Sequence, residues 1–178
     1  MKTKRIICIM LTVTVVILLV VILTSVTPIK TGDRQKTYAL SKSLKTMVSD
    51  NTKGMNLEQI IDYSLKLTSS LLQFSYHNDL DNGKANCIGY AQMCSAVCNQ
   101  GLTVNGLDGE ARDVVGYIES MDINWCDVLK SVAPKDSYKN FVKDHDFVEL
   151  VTDSRTYYFD PSIYDVLGMK CLTINRRQ

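Results

Sequence analysis

Histidine is scarce in this chain: only His77 and His145 occur among 178 residues. A reaction that needs an imidazole to move protons must draw on one of these two. Proline is nearly as scarce, with three residues, and there is no internal repeat or low-complexity tract. With 46% hydrophobic and 22% charged residues, disorder has no place beyond a linker. Charge of one sign is also missing. Lys2, Lys4 and Arg5 precede an apolar run, and removing these three from the 20 basic groups leaves 17 against 19 acidic ones. No Lys/Arg cluster marks a nucleic-acid footprint, so that class of partner is excluded. Neither an obvious calcium loop nor the pattern of a bound cofactor is present.

Alanine is absent before Ala39, and this bears on the apolar run at residues 6–26, IICIMLTVTVVILLVVILTSV. At ~1.5 Å per residue the run spans the ~30 Å hydrocarbon core of a bilayer. A secretory signal usually has ~7–15 apolar residues and ends in small ones. Without them, an uncleaved transmembrane signal anchor is the better reading, a cleaved signal peptide with a long apolar region the alternative. The basic residues in 1–5 favour a cytoplasmic N-terminus and place the rest outside the cell membrane. The expected layout is a basic tail at 1–5, the anchor at 6–26, a linker at 27–54 with a weak helical run near Tyr38–Val48, and one domain at 55–178.

Asn56 can cap a helix with Gln59 three residues on, and Leu57, Ile60, Ile61, Leu65, Leu71 and Leu72 form its apolar stripe. The segment Asp79–Ala85 is a turn, with Asn82-Gly83 suited to positive φ. A second helix is expected from about Cys87 to Gln100, ending before Gly101. Ala111–Ile118 reads as a strand containing Gly116. Residues 119–144 are irregular and hold the single tryptophan, Trp125. Two strands follow, His145–Val151 and Thr156–Pro161, as a hairpin. Helices first and strands afterwards give an α+β class, with an antiparallel sheet packed on the Cys87 helix.

Cys87 stands where a turn hands over to a helix. Free backbone N–H groups and the helix dipole there favour the thiolate, and the same N–H groups can hold an oxyanion. Thiol acyl transfer needs an imidazole beside the sulfur. His145 opens the first hairpin strand and Asp160 closes the second. If the turn centres on Asp153-Ser154, Phe147 lies opposite Asp160, with His145 diagonal on the same face. A shift of two places His145 directly opposite. In either register the carboxylate can orient the ring. Each residue alone has a plain structural explanation, as a small buried cysteine, a strand histidine or a turn aspartate. Their joint order and spacing favour a Cys87–His145–Asp160 triad.

The segments NCIGYAQMCSAVCNQGL, ARDVVGYI, HDFVEL and YYFDPS together resemble the transglutaminase-like superfamily of cysteine peptidases and acyltransferases, over roughly residues 56–165. The resemblance implies a papain-like core with Cys87 as nucleophile, His145 as acid/base and Asp160 as its orienting partner. Ala85 stands where the family usually has glycine, Asp146-Phe147 replace Ala-Trp, and the stretch from Gly116 to His145 is longer. Asn86 and Tyr76 are weaker candidates for the oxyanion or substrate site. The expected activity is on amide bonds of proteins or peptides through a thioester, hydrolysis preferred over transamidation. A non-catalytic interaction module of the cell envelope is the alternative. Residues 119–144 stand equally as a cover over the cleft or as a passive insertion.

Six cysteines occur: Cys8 in the apolar run, and Cys87, Cys94, Cys98, Cys126 and Cys171 beyond it. Cys94 and Cys98, one helical turn apart, offer the start of a zinc site with Cys126, Cys171 and His77 as further ligands. Structural sites use tight paired ligands, and here the remaining cysteines are isolated. Buried thiols, or one or two disulfides to Cys126 and Cys171, are expected instead, with no metal or cofactor.

Overall fold

The computed structural model describes residues 26–34, 38–120 and 144–176. The anchor expected at 6–26 lies outside them except for its last residue, and so do Trp125, Cys8 and Cys126. Among the described residues no helix is long and apolar enough to cross a membrane. The chain is α+β, and its described part has four helices and one five-stranded antiparallel sheet.

The stretch expected as a linker is part of the fold. Strand β1 (Val26–Asp33) pairs antiparallel with the strand Glu110–Ser120, and helix α1 (Lys42–Thr52) is capped by the Ser41 side chain, which accepts from the Leu44 N–H. The Thr, Ser and Lys content of this region reflects an edge strand and a surface helix rather than a solvated tether. Only Val48 and Thr52 of α1 are fully covered.

Helix α2 (Leu57–Leu71) starts at the expected capping box. Asn56 Oδ1 accepts from the Gln59 N–H at 3.0 Å, and Gln59 Oε1 accepts from the Asn56 N–H at 2.9 Å. Short strand β2 (Gln73–Phe74) runs parallel to β3 (Lys84–Ala85), with a 3-10 turn at Leu80–Asn82 between them. Gly83 closes that turn at φ 68°, where a side chain would be strained.

Helix α3 (Cys87–Asn105) is longer than expected, continuing through Gly101 to the left-handed Gly106. Gly101 serves packing, not termination: a Cβ there would come within 2.9 Å of Ile60 Cγ2. Small residues let α3 approach both α2 and the sheet. Ile60, Ile61 and Leu65 meet Ala91, Cys94, Cys98 and Leu102 of α3, and Val148 and Leu150 close the cluster from the sheet side. Burying each such aliphatic side chain contributes roughly 1.5–3 kcal/mol.

The sheet order is β1-β4-β5-β6-β7, where β4 is Glu110–Ser120, β5 is His145–Val151, β6 is Arg155–Phe159 and β7 is Thr173–Arg176. The second hairpin strand ends earlier than expected. Asp160 is an N-cap, and Pro161 opens helix α4 (Pro161–Leu167), because proline suits the first helical position and not a strand interior. Neither α4 nor β7 was apparent from the sequence pattern.

Candidate active site

Three elements converge on His145. The ring is fully buried at the first position of β5. Val148 pairs with Phe159, so the register continues to Phe147 opposite Asp160, the first of the two hairpin alignments. His145 is then the diagonal neighbour, and its Nε2 meets Asp160 Oδ2. Asp160 is equally buried.

The two oxygens of Asp160 have separate work. Oδ1 accepts from the backbone N–H groups of Ser162 (2.9 Å) and Ile163 (3.0 Å) and from the Ser162 hydroxyl (2.8 Å). That caps α4 and fixes the carboxylate, leaving Oδ2 aimed at the imidazole. Burial would raise the Asp160 pKa, but the charge and hydrogen bond of His145, then the Ile163 N–H and Ser162 hydroxyl, hold it below its ordinary value. The packing of α4 on α3 is reinforced by Tyr90, whose hydroxyl donates to Asp165 at 2.6 Å.

Cys87 is the first residue of α3 and only partly covered. It lies close enough to the His145 ring to help raise the pKa of that ring. Burial disfavours the imidazolium, but Asp160 and then Cys87 outweigh it, and the His145 pKa is pushed up to about 10.

Asn86 is the helix cap. Its Oδ1 accepts from Ile88 N–H at 3.1 Å and Gly89 N–H at 3.4 Å. Those two donors are therefore engaged, and the helix-start N–H that this cap leaves is that of Cys87 itself. The turn before the helix is held by Asn78, whose Oδ1 accepts from the Asn86 N–H at 2.9 Å. Tyr76 is 46% exposed, with its ring edge-on to Phe74 at 6.1 Å between centroids. The parallel pairing of Phe74 with Ala85 brings its stretch of chain beside the approach to Cys87.

The four described cysteines are all free thiols, so no disulfide joins Cys94 or Cys98 to Cys171. Burial pushes the Cys98 thiol up to about 12, and Cys94 and Cys171 are raised for the same first reason. These are core side chains, chemically quiet beside Cys87. Among the described residues no group of His, Cys, Asp and Glu is arranged to hold a metal ion.

No family model, curated protein or solved structure matches the chain. Its chemistry therefore has to be argued from its own residues.

Several residues that shape the site carried no sequence signal. Ser162 was visible only as the last residue of a D-P-S triplet. Arg34, which reaches both Asp144 and Asp146, lay in the presumed linker. Asp113 and Asp146, on neighbouring strands, form a buried acidic pair, each at most 3% exposed. Burial, then the charge of Asp146, push Asp113 up to about 8, against the pull of the Arg34 charge.

Proposed function

We propose that this chain is a cysteine-nucleophile acyl-transfer enzyme of transglutaminase-like, papain-like type, acting on amide bonds of proteins or peptides. One observation carries the reading: the buried His145 ring meets Asp160 through Nε2 and has the Cys87 thiol near enough to raise its pKa, with Cys87 at the first position of a helix.

In this mechanism Cys87 gives its proton to His145, and the sulfur attacks the carbonyl carbon of the amide. The oxyanion forms beside the helix start, within reach of the Cys87 N–H. The tetrahedral intermediate collapses, the C–N bond breaks, and the His145 proton passes to the leaving amine. A thioester on Cys87 remains. Water attacks it next, His145 taking the proton from that water, and the carboxylic acid departs as the thiol is restored. Asp160 keeps its charge throughout and holds the ring orientation. An amine in place of water would give transamidation. Hydrolysis is preferred for a small domain without calcium loops. The apolar segment 6–26 would tether the domain to the outer side of the cell membrane.

The test is site-resolved alkylation of the intact protein by iodoacetamide, read by peptide mapping. Cys87 should react at least tenfold faster than a simple thiol at pH 6, where an ordinary thiol of pKa ~8.5 is almost wholly protonated. His145→Ala should remove the advantage. Labelling of Cys87 at the rate of a simple thiol, unchanged in His145→Ala, sinks the enzymatic reading in favour of a non-catalytic module.

A further inference from the structure

We propose that the reactive end of the sheet rests on the outer face of the bilayer, so that the enzyme acts on polypeptide segments lying at the membrane surface. The inference deepens the reading of Cys87, His145 and Asp160 as the catalytic group, and it takes residues 6–26 as the anchor.

No spacer separates the apolar run from the fold. Val26 is at once the last residue of that run and the first of β1. β1 is an outer strand of the sheet. An open sheet edge does not enter hydrocarbon, so the boundary of the bilayer core falls at or just before Val26.

The strand registers then fix how far the site stands from that boundary. Val26 pairs with Ser120 and Lys30 with Gly116, and Gly116 pairs in turn with His145. Lys30, Gly116 and His145 thus form one row across three strands, four positions from Val26. At ~3.3 Å per residue the row lies about 13 Å along the strands from the point where the chain leaves the membrane. The headgroup layer takes up roughly 5–8 Å of that height, and any tilt of the sheet reduces it further. The opposite ends of the same strands, where Glu110 pairs with Val151, point away from the lipid.

β1 is tied firmly enough to carry this orientation to the site. Lys30 Nζ donates to Glu149 of β5 at 2.9 Å, and Arg34 holds Asp146 of β5 at 2.7 Å. The irregularity in β1 falls between Lys30 and Gly32, beyond the stretch that sets the distance.

The surface of this end agrees. Asp160 begins the connection from β6 to β7, and Val166, Leu167 and Leu172 are exposed on it, Val166 by 51%. Ile118, which pairs with Pro28 near the start of β1, packs on Ile163, Cys171 and Met169 of that connection. Tyr117, one position past Gly116 toward Ser120, is exposed as well. Apolar side chains exposed singly carry no message. These share the end that faces the lipid, where apolar groups gain by dipping into the interface.

The experiment uses the full-length protein in phosphatidylcholine vesicles whose acyl chains are brominated, so that an indole near the lipid is quenched. Leu167→Trp reports the reactive end, and Ser154→Trp, in the β5–β6 turn, the far end. Trp125→Phe clears the background; should that variant not fold, Trp125 stays and its emission is subtracted. Leu167→Trp should lose more than about half its emission and Ser154→Trp almost none. Equal quenching at both positions, stronger quenching at 154, or none at either overturns the orientation. The last result is the one expected if a second copy of the chain covers this end instead.

The substrate class is tested with an iodoacetamide group held on a lipid by four or twenty prolines, spacers of roughly 12 and 62 Å. Cys87, followed by peptide mapping, should be labelled at least about fivefold faster through the short spacer. An equal or faster rate through the long one overturns it. Iodoacetamide reaches ordinary thiols too, so this comparison holds whether or not Cys87 is activated. Slow labelling of Cys87 by free iodoacetamide counts against the catalytic reading only.

Discussion

Asp160 holds the His145 ring with Oδ2 and the first turn of α4 with Oδ1. One carboxylate thus does two jobs, and an amide of the same shape can do only one of them. In Asp160→Asn the single oxygen can cap the helix, which turns the NH2 toward His145 Nε2 and favours the wrong tautomer. In the flipped orientation the ring is served and the NH2 faces the Ser162 and Ile163 N–H groups. If the cap is kept, thioester formation with an activated acyl donor should fall roughly 10³–10⁴-fold. If it is lost, the helix start weakens by about 1 kcal/mol.

The same substitution should alter the pH dependence of stability. His145 has a folded-state pKa pushed up from 6.5 to about 10. Its stabilising contribution is therefore complete below about pH 6.5 and is lost progressively as pH rises through 10. Denaturant midpoints measured from pH 6 to 10 should decline in the wild type and decline less steeply in Asp160→Asn. Equal slopes in the two proteins would show that the pair is not the source.

Gly116 faces another constraint. A Cβ at this position would lie 1.9 Å from the Ile29 carbonyl oxygen and 2.8 Å from its carbon, both backbone atoms of β1. No rotamer relieves that overlap. Gly116→Ala should cost about 3 kcal/mol or more, or displace β1 with its Lys30 and Arg34 contacts. Chemical denaturation gives the first outcome, and faster proteolysis near residue 30 the second. A variant as stable as wild type, with β1 still protected, would contradict the close approach.

Asp113 offers a gain instead of a loss. Its folded-state pKa of about 8 lies above the ordinary 3.8. Stability attributable to this group is present below about pH 3.8 and is lost as pH rises through 8, because the unfolded chain gives up the proton first. Asp113→Asn is uncharged at every pH and removes that loss. It should raise stability at pH 8 by on the order of 1–3 kcal/mol and flatten the profile between pH 4 and 8. Thermal melts across that range check it, and destabilisation at pH 8 would refute the raised pKa of Asp113.

Much of the site was legible because local chemistry dictates it. The Asn56–Gln59 capping box and the Cys87 helix start follow from residues within a few positions of one another, and His145 and Asp160, fifteen apart, are joined by one hairpin. The His145–Asp160 alignment needed only the period of a strand and the place of a turn. What escaped was set at a distance. β1 looked like a linker because an edge strand needs only one buried side, and its partner lies about ninety residues onward. Gly101 looked like a helix stop because its real reason, contact with Ile60, belongs to another helix. Pro161 looked like a strand end because the Asp160 cap becomes apparent only when α4 is known to follow.

The position of β1 has one more consequence. β4 is 11 residues long and sits inside the sheet only because β1 covers one of its sides. A chain beginning at Met55 would retain Cys87, His145 and Asp160, but β4 would then be a long outer strand with a row of unanswered N–H and C=O groups. Such a rim recruits other strands, including those of identical molecules. The N-terminal strand therefore also guards against self-association, by keeping the outermost backbone short and bent at the irregularity between Lys30 and Gly32.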